Sequence, residues 1–396
     1  MKASWAASVA GHHRDLRHSG LWRERKTLES AQSVVVVLNG GGLLNFSSND
    51  YLGLANNEHL KQAACAAVSE WGVGSGASHL VCGHSQPHHL LEQNLAEFVG
   101  AERAILFSNG YLANLAIGSA FLNNGDLFLH DKLNHASLID AGLASASNFK
   151  RYSHTDLAHA QKIIEKTAHE RLMIASDAVF SMDGDIAPID ALSELALKHD
   201  ALLVLDDAHG FGVLGRDGRG SLNELGLVPA GNVLMMGTLG KAFASFGAFI
   251  AGDEVYIEHL IQRARSYIYT TALPPSIAVT SSASLQYVRA QKGRLQHQLK
   301  SNIDYFKAQA KLKQLRLMPS NTPIQPVMVG DSWVASAISE KMAECGVLLT
   351  AIRPPTVPKG TARLRVALSA AHTNGQIDRL IDALLKSMDE LADVNN

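Results

Sequence analysis

From about residue 100 the hydrophobic positions of this chain fall into a repeating rhythm. Short apolar runs end in polar residues, and each is followed by a stretch of helical spacing. The runs are "RAILFSNG", "GDLFLHDKLNH", "RLMIASDAVFS", "ALLVLDDAHG" and "NVLMMGTLGK", with "NLAIGSAFLNN" and "DALSELALKHD" among the helical stretches. The runs do not alternate apolar with polar positions, so they predict strands buried on both faces. Strand and helix in alternation predict an α/β fold: a mostly parallel sheet flanked by helices. Ligands of such sheets bind beyond the carboxyl ends of the strands. The chain sets its unusual polar residues there, at positions 108–111, His135, Ser181, 206–209 and 238–241.

Past roughly residue 280 the pattern changes. A long polar helix, "SLQYVRAQKGRLQHQLKSNIDYFKAQ", leads into the strands "IQPVMVG" and "RLRVALS", and an amphipathic helix is predicted from about Gln376. Residues 1 to about 30 read as helical and basic, and "SVVVVLNGGGLLNFSS" reads as a β-hairpin. The expected division is an N-terminal helical and hairpin segment (1–45), a large domain (46–280) and a smaller α+β domain (281–396). "GVGSGA", at residues 72–77, formally matches the dinucleotide-binding fingerprint. It follows the helical stretch "HLKQAACAAVSEW" instead of a strand, so it is read as a loop near the site.

Composition narrows the function classes. The 396 residues are 46% hydrophobic and 18% charged, as in soluble globular proteins. A net charge of -2 leaves no electrostatic footprint for nucleic acid or an acidic membrane. The N-terminal stretch lacks the apolar core of a secretory signal, and Cys65, Cys82 and Cys345 are widely spaced and odd in number. A cytoplasmic protein with reduced thiols is expected. Histidines are numerous, at eighteen. His12, His13 and His18 lie in a basic stretch. His84, His88 and His89 flank a proline, which spoils the helical face that a ligand pair needs, and no Glu or Cys is read at ligand spacing. No metal site is expected.

One lysine stands out. Lys241 lies within "MGTLGKAFASFGAFIAG", among small and apolar residues with no carboxylate nearby in sequence. It reads as a partly exposed turn lysine, or as an amine kept nucleophilic by its pocket, as Schiff-base chemistry requires. The other motifs leave similar pairs of readings. Asp206, ending a buried strand in "VLDDAHG", suits a helix N-cap or the partner of a protonated pyridine nitrogen, with His209 beside the same ring. Gly110 and Tyr111 mark an ordinary strand-to-helix turn or a phosphate cradle, a reading that Thr238 strengthens. His135 is a core histidine or an imidazole stacked on a cofactor. Ser181 opens a turn or flanks the same ring.

Six stretches in order, "NFSSNDYLGL", "LNHASLID", "VFSMDGDIAP", "DDAHGFGVLG", "GTLGKA" and "RPPTVPKGTARLRVALSAAHT", resemble the α-oxoamine synthases, a family of fold-type-I pyridoxal-phosphate enzymes. The resemblance runs from about residue 15 to the C-terminus. It implies that Lys241 carries pyridoxal 5'-phosphate and acts as the catalytic base, with Asp206 on the ring nitrogen, His209 on the phenolic oxygen and His135 stacked on the ring. Gly110, Tyr111 and Thr238 would serve the phosphate, and Ser181 would lie beside the ring. Asn49 and Arg353 would hold an amino-acid carboxylate, while Arg23 and Thr356 would contact the acyl substrate. The stretch "AIRPPTVP" points to the branch that condenses L-alanine with a pimeloyl thioester, on CoA or an acyl carrier protein, in biotin biosynthesis. The alternative is a sister synthase using glycine or serine, which would share every cofactor residue. A homodimeric PLP-dependent acyltransferase follows from the resemblance. Two departures are visible: "GASHLVCG" lacks a second small residue common in the glycine-rich loop, and Asp177 stands where relatives often carry Glu.

Overall fold

A computed structural model describes residues 4–394, and the apolar runs form its central strands. The hairpin comes first. β1 (Val35–Leu38) pairs antiparallel with β2 (Gly41–Asn45), and Asn39 and Gly40, at φ 51° and 73°, make the two-residue turn that an Asn-Gly pair favours.

Seven strands build the main sheet: β3 (Arg103–Phe107), β4 (Leu127–Asp131), β5 (Asn148–Tyr152), β6 (Leu172–Asp177), β7 (Leu202–Asp206), β8 (Val233–Thr238) and β9 (Ala248–Gly252). Their order is β3-β9-β8-β7-β6-β4-β5, and only β9 runs against its neighbours. Every residue of β4, β6, β8 and β9 is buried, which explains why their sequences do not alternate. At one edge, β5 exposes Asn148, Lys150 and Arg151, polar groups that discourage pairing with another chain.

This sheet belongs to a unit made of residues 49–181 and 185–299. A second unit comprises residues 4–48, 182–184 and 300–394. It holds the hairpin, β10 (Ile324–Gly330), β11 (Val347–Leu348), β12 (Thr350–Ile352) and β13 (Ala362–Ala367). β11 extends the hairpin alongside β2, and β10, β13 and β12 form an antiparallel sheet. The last helix, Asn374–Val394, buries Ile377, Leu380, Ile381 and Leu384, the spacing of one helical face.

Three expectations are corrected. The polar helix read across residues 284–309 is two helices, Pro275–Ala290 and Arg294–Leu312, separated where Lys292 and Gly293 take positive φ. The N-terminal helix spans only Trp5–His18, ending before Gly20 at φ 66°. Pro87 does not break the histidine-bearing segment. It sits in the first turn of the helix Gln86–Val99, where its missing N–H has no intrahelical partner to lose. Glu92 then follows His89 by one helical turn, a ligand spacing overlooked in the sequence.

Candidate active site

Lys241 sits in the loop between β8 and β9. Leu239 N–H donates to Gly247 O at 2.9 Å and Ser245 N–H to Leu239 O at 2.9 Å, closing the loop on itself. Leu239, Ala242 and Phe243 are fully buried, and Phe243 stacks on Phe211 with ring centroids 4.5 Å apart. With its neighbours pinned, the loop presents the lysine to a cavity of about 180 Å³.

The amine opens a chain of hydrogen bonds. Lys241 Nζ lies 2.8 Å from His209 Nε2, His209 Nδ1 lies 2.7 Å from the Tyr51 hydroxyl, and that hydroxyl lies 3.1 Å from Asn49 Oδ1. The available protons order this chain. Lysine donates to Nε2, so the neutral ring carries its own proton on Nδ1. Tyr51 accepts that proton and donates to Asn49. His209 is placed by the turn after β7, in which Gly210 and Phe211 N–H both donate to Asp207 O. The Asp207 side chain takes Ser221 N–H at 2.7 Å, and burial pushes its carboxyl up to about 7.

Asp206 anchors a second chain. Its Oδ1 accepts Ala208 N–H at 3.0 Å and its Oδ2 accepts Asn114 Nδ2 at 2.7 Å. A turn and not a helix follows, so the helix-cap reading of Asp206 falls away. Asn114 Nδ2 also donates to Ser137 Oγ at 2.8 Å, and Ser137 Oγ lies 2.7 Å from His135 Nδ1. His135 Nδ1 takes Ser137 N–H as well, capping the helix Ala136–Ala144, so the ring proton resides on Nε2. Desolvation lowers the His135 pKa, partly opposed by the charge of Asp206. Asp177 accepts His135 N–H on both oxygens at 3.1 Å, and burial, then the nearby Asp206, raises its pKa well above the ordinary carboxylate value.

The phosphate candidates occupy the start of the helix Gly110–Phe121. Asn109 takes Leu112 N–H through its side chain and Ala113 N–H through its carbonyl. Gly110 and Tyr111 then line the cavity at the positive end of this helix, where first-turn N–H groups have no intrahelical partner. A Cβ on Gly110 would stand 3.3 Å from Met236 Cε, so glycine keeps the approach open. The Tyr111 hydroxyl donates to Asp140. Thr238 ends β8, and its hydroxyl donates to Gly247 O at 3.1 Å.

All the residues assigned to the cofactor, namely Gly110, Tyr111, His135, Ser181, Asp206, His209, Thr238 and Lys241, line this cavity. Ser137, Asp177, Ala208 and Met236 complete it. The donor set fits pyridoxal phosphate: an amine for its carbonyl, a carboxylate for its ring nitrogen and a helix start for its phosphate. Asn49 reaches the site through Tyr51. Arg23, Arg353 and Thr356 belong to the other unit. There Arg353 donates to Gly20 O and Trp22 O, beside a cavity of about 800 Å³ also lined by Arg17, Trp22 and Trp333. Arg23 and Thr356 are exposed. Sequence reading missed Tyr51, Asn114 and Ser137. The lone amide of Asn114 in an apolar helix is the one signal that pointed to it.

The family description "aminotransferase class I and II" matches residues 42–384. A curated relative from Marinobacter nauticus, an 8-amino-7-oxononanoate synthase, is 48% identical over 377 residues, covering 95% of each chain. Among solved structures, serine palmitoyltransferase from S. paucimobilis with a bound PLP–myriocin adduct superposes at TM-score 0.91 and 27% identity, over 97% of this chain and 98% of that one. The 8-amino-7-oxononanoate synthase of Francisella tularensis superposes at TM-score 0.77 and 31% identity, over 88% of this chain and 99% of that one. Together with the cavity around Lys241, these similarities identify the chain as a pyridoxal-phosphate-dependent acyltransferase that belongs to the class I and II aminotransferase family, in its 8-amino-7-oxononanoate synthase branch.

Proposed function

We propose that this chain condenses L-alanine with a pimeloyl thioester, carried by CoA or an acyl carrier protein, to give 8-amino-7-oxononanoate, carbon dioxide and free thiol. One observation carries this reading: a cavity built from the residues such chemistry needs lies in a chain 48% identical to a synthase named for that product. In the reaction a carbon–carbon bond forms between the alanine Cα and the acyl carbon, the thiol leaves, and the alanine carboxylate departs as carbon dioxide. Pyridoxal phosphate supplies the electron sink for the pair left at Cα.

The protein's own groups do the rest. Lys241 would hold the cofactor and take the Cα proton on Nζ, with His209 Nε2 2.8 Å from the amine. Asp206, fixed on both oxygens, balances the positive charge on the ring nitrogen. His135, whose pKa desolvation lowers, would cover one face of the ring. Gly110 and Tyr111 bind the phosphate through backbone N–H groups. Asn49, Arg353, Arg23 and Thr356 are proposed as substrate contacts on the strength of the resemblance.

The protein is further proposed to act as a homodimer in the cytoplasm. Support for the location comes from two exposed free thiols, Cys65 and Cys82, which suit a reducing compartment. Among the described residues, no helix is long and apolar enough to cross a membrane. Mass spectrometry of the product formed from L-alanine and pimeloyl-CoA tests the reaction. The expected outcome is 8-amino-7-oxononanoate with one free thiol per product. Faster turnover with glycine would overturn the alanine assignment and leave the cofactor site standing.

A further inference from the structure

Away from Lys241, four histidines and a glutamate gather where the turn 79–83 meets the helix Gln86–Val99. Their hydrogen bonds sort them. His88 is fully used: Nδ1 accepts Ser85 N–H at 3.0 Å and Nε2 donates to Leu273 O at 2.6 Å. His79 is buried, stacks on Tyr267 with centroids 4.7 Å apart, and sets its Nδ1 2.9 Å from His84 Nδ1. That contact leaves His84 Nε2 directed at Glu92, 4.0 Å from Oε2. The other oxygen of Glu92, Oε1, accepts Leu106 N–H at 3.0 Å. His89, exposed one turn before Glu92, completes a group whose ligand atoms lie within 4.8 Å of one another.

We propose that His84, His89 and Glu92 form a binding site for a divalent transition-metal cation of the zinc class, distinct from the Lys241 cavity. Two imidazole nitrogens and one carboxylate oxygen are a set that zinc accepts, with water in the fourth position. Calcium and magnesium prefer oxygen throughout. Two of the three ligands are already held from behind, His84 by His79 and Glu92 by the Leu106 amide, as the outer partners of metal ligands commonly are. Bond lengths of about 2.0–2.2 Å place tetrahedral ligand atoms roughly 3.4 Å apart. The group, within 4.8 Å, must therefore contract by up to about 1.4 Å, and the exposed His89 is the member that can swing inward. Burial strips water from the Glu92 carboxyl and pushes its pKa up to about 8. A cation would offset the desolvation of Glu92 and tie the turn to the helix.

The holoenzyme, stripped with chelator and titrated with ZnCl2 by calorimetry, tests the site, with zinc counted by mass spectrometry after gel filtration. The expected result is one zinc per chain, affinity lowered at least tenfold in His89→Ala and again in His84→Ala, and no change in a His12→Ala/His13→Ala variant. The visible absorbance of bound cofactor should be unchanged in His89→Ala, which reports an intact fold. Failure to retain zinc, equal affinity in wild type and His89→Ala, loss of zinc in the His12→Ala/His13→Ala variant, or equal binding of magnesium would each overturn the proposal.

Discussion

Replacing Asp206 with asparagine separates the charge of this residue from its hydrogen bonds. The carboxylate accepts from two buried donors, Ala208 N–H at 3.0 Å and Asn114 Nδ2 at 2.7 Å. An amide has only one oxygen. Whichever way it is turned, its NH2 faces one of those donors, leaving a buried group unpaired at a cost of about 1–3 kcal/mol in stability. The lost charge acts on the barrier instead. Removing a preorganised group from a water-poor site costs about 3–4 kcal/mol, a fall in kcat of roughly a hundred- to a thousandfold. Asn114→Ala is the control, because it breaks the same hydrogen bond and leaves the carboxylate in place. Urea unfolding gives the stability change, and thiol release from pimeloyl-CoA gives kcat at measured cofactor occupancy. Asp206→Asn should lose stability and activity, whereas Asn114→Ala should lose stability with a much smaller fall in kcat. A kcat for Asp206→Asn close to wild type at full occupancy would refute the charge argument.

Three further outcomes are expected. Tyr51→Phe removes the acceptor of His209 Nδ1 in a fully buried position, so the protein should lose about 1–3 kcal/mol in denaturant unfolding. Gly118→Ala would set a Cβ 2.5 Å from the Ala141 carbonyl oxygen, so the helix carrying Gly110 must shift. It should cost about 1–3 kcal/mol and weaken cofactor affinity in a fluorescence titration. His154 bridges Asp131 at 3.0 Å and Asp185 at 2.9 Å, and its hydrogen bonds and attraction to these two carboxylates outweigh desolvation, raising its pKa to about 10. Since the folded value is the higher one, its stabilisation is complete below pH 6.5 and declines as pH rises to about 10. His154→Gln should therefore lose about 3 kcal/mol at pH 6 and progressively less toward pH 10; a pH-independent difference would refute the ion bridge.

The strands were legible because burial on both faces writes itself directly as apolar runs: "VLMMGT" became a six-residue strand with every position buried. Their polar endings also marked the cavity, since a parallel sheet exposes ligand-binding positions at one end. Legibility failed where one or two backbone angles decide the outcome. The helical pattern across residues 284–309 continues through Lys292 and Gly293, yet their positive φ divides it. Pro87 misled in the opposite direction, because a proline breaks a helix interior but fits its first turn. The positions of Asn114 and Ser137 depend on contacts between β7 and the two helices that follow β3 and β4, and no local spacing records them.

Those unread residues decide how the two histidines of the cavity behave. Tyr51 takes the His209 proton on Nδ1, so His209 offers Lys241 a lone pair at Nε2. Ser137 gives its proton to His135 Nδ1, so His135 carries its own proton on Nε2. Two imidazoles lining one cavity thus differ, one an acceptor and the other a donor, although composition makes them identical. The difference has a physical origin at each end. Tyr51 donates onward to Asn49 and accepts from His209, whereas Ser137 accepts from Asn114 and donates to His135. A protonated lysine beside a histidine with its proton on Nε2 would meet a second donor, whereas the Nε2 lone pair accepts from it. The order of protons from Asn49 to Lys241 thus turns an accepting nitrogen of His209 toward the lysine, 2.8 Å from Nζ.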